Sequence, residues 1–111
     1  MAQGAGFAYR KLAQPASGYS IVGIAAVVAM TGGSISHARI GVTGVHEHPY
    51  RAHDVEQALE GSDGSAEAIA AAAAHVTDDA EASSDIHADA AYRSAMAVVY
   101  TRRAIEGALG R

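Results

Sequence analysis

Six histidines are the side chains of this chain best suited to metal chemistry, and three of them are close together. His46, His48 and His53 lie within eight positions, and an i, i+2 pair on an extended segment projects both imidazoles to one side, as zinc or copper would require. The chain has no cysteine, no inward carboxylate nearby completes the set, and Pro49 breaks the segment. A surface loop is the favoured interpretation, with a His-loop metal binder as a weaker alternative, so we expect no metal site.

The remaining motifs that could carry catalysis are incomplete. Gly4-Ala5-Gly6 precedes the first predicted strand instead of following one, so it is not a dinucleotide-binding turn, and the chain has no P-loop or nucleophile elbow. Asp78 and Asp79 lie in a polar run, which indicates a solvated loop because perturbed acid–base pairs need burial. His37 is interpreted as a half-exposed strand residue. We expect no catalytic residue in this chain.

Length and composition favour one small domain over residues 1–111. A chain of 111 residues buries roughly two thirds of the surface that its unfolded form exposes, which is enough for one core. The net charge is -4 and the eight basic residues are scattered, so nucleic-acid binding is not expected. The absence of cysteine excludes disulfides and iron–sulfur ligation by this chain.

No segment of the sequence predicts export or a membrane span. Residues 1–6 have no basic start and no long apolar run, so they do not resemble a secretory signal, and we expect a cytoplasmic protein. The most apolar run, residues 21–30, has ten residues where a helical span needs about 20. Its β-branched residues predict a buried strand instead.

A β-hairpin is predicted around Gly32 and Gly33, because a Gly-Gly pair between two apolar runs suits a tight primed turn. A two-residue loop would place Met30 opposite Ile35, Val28 opposite His37, Ala26 opposite Arg39 and Ile24 opposite Gly41. The helices would then pack on the other face, which carries Ile21, Gly23, Ala25, Val27, Ala29, Ala38, Ile40 and Val42. The face with His37 and Arg39 carries both polar and apolar side chains, which predicts that it meets solvent, a ligand or another domain.

Three helices are predicted after the hairpin. Residues 52–59 form a short helix closed by Gly61, and Ser65 caps an Ala-rich helix that runs to about Val76. A loop follows over residues 77–85, and Asp89 caps the last helix. Its predicted apolar stripe consists of Ala91, Ala95, Val98, Ile105 and Leu109, with Tyr92, Met96 and Val99 beside it. The predicted fold is α+β, a three-stranded antiparallel sheet followed by three helices packed on one face.

Five ordered pieces of sequence carry a resemblance to a known family. They are residues 7–12 (FAYRKL), 18–23 (GYSIVG), 38–45 (ARIGVTGV), 49–52 (PYRA) with Glu56, Leu59 and Gly61, and 85–93 (DIHADAAYR) with Met96, Val99 and 102–105 (RRAI). In this order they resemble the C-terminal domain of the FAD-binding medium subunit of molybdenum hydroxylases, the aerobic carbon monoxide dehydrogenase and xanthine dehydrogenase group. The resemblance implies the same α+β fold.

The resemblance also implies a role beside a flavin. In that family an aromatic residue in the turn before the second strand, usually after an Asp, lies close to the flavin ring; Tyr19 matches it here, and Gly18 stands in place of the acid. The FAD-binding domains precede this domain in the family, so the chain alone is not expected to retain FAD. The implied partners are those N-terminal domains, an iron–sulfur small subunit and a molybdopterin large subunit.

Two functions from different classes are therefore compatible with the sequence. The first is a non-catalytic domain of an oxidoreductase subunit, which covers the flavin and packs subunits together. The second is a free-standing interaction module or small homo-oligomer, for which the mixed His37/Arg39 face and the Ala-rich surface are the warrant.

Overall fold

A computed structural model describes residues 5–13, 20–44, 49–78 and 90–110 of the chain. Its strands are β1 (Ala5–Ala13), β2 (Ser20–Thr31), β3 (Ser34–Thr43) and β4 (Tyr50–Arg51), and its helices are α1 (His53–Leu59), α2 (Ala66–Ala73) and α3 (Ala90–Ala108). The sheet is antiparallel, in the order β1-β2-β3-β4.

The predicted α+β class is confirmed, but the sheet has four strands and not three. After β3 the chain returns to pair Tyr50 with Val42 and Arg51 with Gly41 before α1 begins. A strand of two residues is too short to show alternation in a sequence, so the prediction assigned this segment to the connection before the first helix.

The hairpin turns at Gly32 and Gly33, as predicted, with φ angles of 60° and 84°. Met30 also faces Ile35 as predicted, but the rest of the predicted register is wrong. Ala29 is paired with His37, so Ser36 is an extra residue in β3 and forms a β-bulge. The Ser36 hydroxyl donates to the Ala29 carbonyl oxygen at 3.3 Å.

The bulge reverses the two faces that were predicted for β2, because a shift of one residue turns every side chain to the opposite side. The fully buried side chains of the hairpin are those of Val22, Ile24, Ala26, Val28, Ile35, Ala38, Ile40 and Val42. They form one core with the helices. Ala25 and Val27, predicted to face the helices, are only half-buried and lie on the opposite face.

The helices cover one side of the sheet, with α1 against β3, α3 against β1 and β2, and α2 between the two other helices. Ser65 is confirmed as the N-cap of α2, because its hydroxyl oxygen accepts from the Ala68 N–H at 3.2 Å. Gly61 follows α1 with a φ of 90°, as its predicted closing role requires. Helix α2 ends before Val76, which is buried in the following turn. Asp89 lies outside the described residues.

The buried side of α3 differs from the predicted stripe. It consists of Ala97, Thr101, Ala104, Ile105 and Ala108, at helical spacing. Of the predicted stripe, Ile105 is buried, Val98 and Leu109 are half-buried, Ala95 is exposed, and the side chain of Ala91 lies outside the described ones. The prediction favoured larger side chains, whereas small ones let α3 approach the sheet. At Gly6 of β1, an added Cβ would lie 1.8 Å from the Ala108 carbonyl oxygen.

The corrected register gives a first prediction. Ala38→Leu adds volume to the fully buried side of β3 and should destabilise the protein by about 1–3 kcal/mol. Ala25→Leu adds the same volume on the opposite, half-buried face and should change stability much less. Chemical unfolding of both variants checks this, and an equal loss in both would contradict the register.

Candidate functional site

The sheet surface turned away from the helices is called the open face below. Its side chains are Phe7, Tyr9 and Lys11 of β1, Gly23, Ala25, Val27 and Ala29 of β2, His37, Arg39, Gly41 and Thr43 of β3, and Arg51 of β4. Strand pairing arranges them in cross-strand rows, one of which runs Tyr9, Ala25, Gly41 and Arg51 over all four strands. Small residues therefore form the middle of this row, with a large side chain at either end.

A groove of about 460 Å³ lies over that row. Its lining consists of Tyr9, Gly23, Ala25, Gly41, Val42, Thr43, Pro49, Tyr50 and Arg51. The phenol of Tyr9 lies over Gly23, where an added Cβ would be 2.5 Å from the Tyr9 hydroxyl and 2.6 Å from Thr43 Oγ1. Glycine at position 23 thus lets the Tyr9 ring lie across the sheet and form one wall of the groove.

Arg51 is held at the opposite wall by Glu56 of α1. The Arg51 Nη2 and Nε atoms donate to Glu56 Oε1 and Oε2 at 2.7 and 3.1 Å, and the Ile40 N–H donates to Oε2 at 2.8 Å. Burial raises the pKa of the Glu56 carboxyl, but the hydrogen bonds from Arg51 and Ile40 and the nearby positive charge outweigh it, so that the pKa lies below its ordinary value. Glu56 is therefore ionised at neutral pH.

Glu60, which directly follows α1, is a second carboxylate that binds β3 beside Glu56. Glu60 Oε2 accepts from the Ala38 N–H at 3.2 Å and lies 3.7 Å from Arg39 Nη1. Since Ala38 and Ile40 are two apart in β3, the two carboxylates satisfy successive outward N–H groups that β4 is too short to reach. Each of them also holds an arginine of the open face.

The residues predicted for the flavin contact, Gly18 and Tyr19, lie outside the described residues. Ser20, which follows Tyr19 in the sequence, begins β2 and is paired with Ala13 of β1. Ser20 is on the same half of the sheet as Gly23, which lines the groove. The predicted role of Tyr19 stays a prediction.

The histidines do not come together as a metal site in the part of the chain that the structure describes, where no group of three or more His, Cys, Asp or Glu side chains could hold an ion. His46 and His48 lie outside that part. His53 lies 3.6 Å from Glu56 Oε1, and His37 is half-buried on the open side of β3, as predicted.

Sequence reasoning missed the groove and its two walls. Tyr9 was noted only within residues 7–12 of the family resemblance, although its alternation with Phe7 and Lys11 was a signal for one face. Arg51 and Glu56 were noted only as positions that match the family. They are five residues apart, one at the end of a strand and one in a helix, and no regular secondary structure brings such a pair together. Separately, none of the described helices combines the length and apolar character that a membrane crossing requires.

Comparison with known proteins gives a consistent result. A family model described as the CO dehydrogenase flavoprotein C-terminal domain matches residues 7–108. The carbon monoxide dehydrogenase medium chain of Hydrogenophaga pseudoflava is 34% identical over 110 residues, which are 99% of this chain and 38% of that protein. This chain therefore spans little more than a third of the length of the curated relatives it matches.

Solved structures agree in fold as well as sequence. The carbon monoxide dehydrogenase of Hydrogenophaga pseudoflava that lacks the Mo-pyranopterin moiety superposes with a TM-score of 0.91 at 36% identity, over 99% of this chain and 38% of that chain. Quinoline 2-oxidoreductase from Pseudomonas putida 86 superposes with a TM-score of 0.88 at 29% identity, over 96% of this chain and 37% of that one.

Proposed function

This chain belongs to the CO dehydrogenase flavoprotein C-terminal domain family, and from that membership we propose that it serves as the C-terminal domain of the FAD-binding medium subunit of a molybdenum hydroxylase. The observation that carries the proposal is the match of 99% of this chain to 38% of a carbon monoxide dehydrogenase medium chain. The role that we propose for the domain is to cover the flavin and to pack against other parts of the enzyme.

The enzyme that we propose around this domain is an oxidoreductase that passes electrons from molybdenum and iron–sulfur centres on other subunits to FAD. The proposed partners are the N-terminal FAD-binding domains, an iron–sulfur small subunit and a molybdopterin large subunit, in the cytoplasm. FAD supplies the redox chemistry when it is bound, and the surrounding protein supplies orientation and exclusion of water.

The described residues fit a covering role better than a phosphate-binding role. Helix α1 follows β4 through Ala52 alone, and the Ser65 side chain already accepts from the first turn of α2. Gly61 and Gly64 precede α2, but the Gly64 and Ser65 N–H groups donate to Ser62 Oγ and Asp63 Oδ1 at 3.3 and 2.9 Å, so they are not turned to a pyrophosphate. The open face instead offers a shallow, largely apolar groove with an aromatic wall. We therefore propose that this chain does not hold FAD alone and that Gly18 and Tyr19 lie near the ring in the complete subunit.

A second prediction tests the proposed function through Tyr19. In the complete enzyme, Tyr19→Ala should shift the flavin absorption bands and raise the reaction rate with oxygen, because a ring that excludes water is lost, while FAD occupancy stays nearly full. Absorption spectra, oxygen consumption and flavin content measure the three effects.

Tyr100→Ala is the matched control, because Tyr100 lies on α3 beside Arg103, with the guanidinium carbon 5.0 Å from its ring centroid. This variant should leave the flavin spectrum unchanged. If Tyr19→Ala lowers the melting temperature but leaves spectrum and oxygen rate unaltered, Tyr19 only anchors β2 and the proposed role is wrong.

The second candidate function is a free-standing interaction module or small homo-oligomer, and the exposure of Phe7 and Tyr9 on the open face favours it. The adjacent reading frames decide between the two candidates. Frames for an FAD-binding fragment, a Cys-rich small subunit and a molybdopterin subunit would support the oxidoreductase.

A further inference from the structure

We propose that the open face is the surface through which this domain packs on the preceding, flavin-binding part of its own subunit, with Phe7 and Tyr9 as the anchors. The proposal rests on the proposed function and goes beyond it, because it assigns the contact to one side of the domain and to named side chains.

The first observation is the exposure of two aromatic side chains. Phe7 is 67% exposed and Tyr9 is 45% exposed, and they are the exposed large hydrophobic residues of the part of the chain that the structure describes. Both project from β1 on the open face, where their cross-strand neighbours are Val27 and Ala25. Aromatic side chains dominate the energy of protein interfaces, and an exposed apolar patch with polar residues around it marks such a surface.

The second observation is the sign of the charge on this face. Its charged side chains are Lys11, Arg39 and Arg51, and its described residues include no carboxylate, although the whole chain carries a net charge of -4. The side chains of Arg39 and Arg51 are 47% and 48% exposed. Glu56, which holds Arg51, is 5% exposed, so a partner meets the Arg51 guanidinium first, whereas Glu60 beside Arg39 is 39% exposed and offsets part of the positive charge there. Complementarity calls for an apolar patch bordered by carboxylates.

The charge also selects between two possible occupants. In a two-fold dimer through the open face, the same patch of each copy meets the other. Both patches would then carry basic side chains with no carboxylate of either open face to pair with them, and such like-charge juxtaposition is unfavourable. A second copy is therefore disfavoured, and a different surface is required.

The order of the domains supplies the occupant. The family is described as a C-terminal domain, and the matched region is 38% of the relative's medium chain. The larger part of such a subunit must precede this domain and reach it through β1, which is the strand that carries Phe7 and Tyr9. Contact through the open face also places that part next to the half of β2 that begins at Ser20, after Tyr19.

Hydroxyl-radical footprinting of three samples tests the proposal: the 111-residue chain, the free medium subunit and the complete enzyme. Labelling of Phe7 and Tyr9 should fall about tenfold from the chain to the free medium subunit, as for desolvated anchors, while labelling of Tyr100 stays the same. Equal labelling of Phe7 and Tyr9 in all three samples would overturn the proposal. Protection that appears only in the complete enzyme would also overturn it, because another subunit would then be the occupant.

A charge substitution gives an independent arm. Tyr9→Glu in the medium subunit should return the labelling of Phe7 to the level of the 111-residue chain, because it removes an anchor and buries a carboxylate. Ala71→Glu introduces the same charge at an exposed position of α2 and should leave Phe7 protected. Loss of protection in Ala71→Glu alone would assign the contact to the helices and overturn the proposal.

The two proposals fail in different ways. Protection of Phe7 and Tyr9 together with an unaltered flavin in Tyr19→Ala would keep the docking face and remove the flavin role. A flavin response to Tyr19→Ala with fully labelled Phe7 and Tyr9 would do the opposite.

Discussion

Replacement of Glu56 by alanine is expected to lower the free energy of unfolding by about 3 kcal/mol, because it leaves a buried donor and a fixed arginine without their partner. Ile40 N–H loses an acceptor at 2.8 Å, and Arg51 loses both of its hydrogen bonds to the carboxylate. Because Arg51 is half-exposed, water can replace part of its lost hydrogen bonding. The loss of unfolding free energy therefore stays below the largest values known for breaking a fully buried ion pair.

Urea unfolding measures this effect, with Gln57→Ala as the control. Gln57 is the exposed neighbour of Glu56 on α1, so its truncation should change stability by no more than about 0.5 kcal/mol. Similar losses in the two variants would mean that the carboxylate is not a central contact of the fold.

The charge of Glu56 gives the same prediction a pH dependence. Its folded-state pKa is lowered, so its stabilising contribution is present above the unfolded-state pKa of about 4.3 and is lost as the pH falls through the folded-state value. Glu56→Gln keeps the shape but cannot ionise. The stability difference between the original protein and Glu56→Gln should therefore be constant near neutral pH and shrink in acid, and parallel curves down to acid pH would contradict the assignment.

Gly6→Ala is expected to destabilise the protein by about 3 kcal/mol or more, the upper range for overpacking. The added Cβ would lie 1.8 Å from the Ala108 carbonyl oxygen, and that oxygen is main chain, which no rotamer change can move away. Relief requires that α3 shift from β1, which would also loosen the buried contacts of Ile105.

Gly41→Ala is the matched control, because Gly41 is also a strand glycine without a positive φ. Its added Cβ would approach Ala25 Cβ at 4.0 Å, an ordinary contact, and the loss of glycine's freedom in the unfolded chain should stabilise by up to about 1 kcal/mol. Thermal unfolding separates the two substitutions. A tolerated Gly6→Ala would mean that α3 does not approach β1 closely.

Much of the fold was predictable because it depends on local signals. The Gly32-Gly33 turn, the Ser65 cap and the Gly61 stop each follow from residues that act within a few positions. The faces of β2 were not predictable in this way, since they depend on Ser36, whose bulge has no sequence signature distinct from an ordinary strand residue. One unpaired residue was enough to exchange the buried and open sides of a strand.

The candidate site was less predictable than the fold. A groove over Ala25 and Gly41 exists only once three strand pairings are known, and the position of Tyr9 above Gly23 is a tertiary contact. Glu56 has the sequence context of an ordinary surface helix residue and is buried only because β3 presents an N–H to it. The family resemblance directed attention to Tyr19, while the geometry of the described residues directs it to Tyr9 and Arg51.

The two carboxylates at the side of β3 also decide in which direction this sheet could be extended by another chain. Glu56 and Glu60 occupy the outward N–H groups of Ile40 and Ala38, and the chain itself occupies those of Ile35 and Ala52 through Ser62 and Ile40. A strand that approached this side would find these N–H donors of the sheet already engaged. Among the described residues, an added strand is thus directed to the β1 edge of the sheet, and protonation of Glu56 in acid would weaken its part of this restriction.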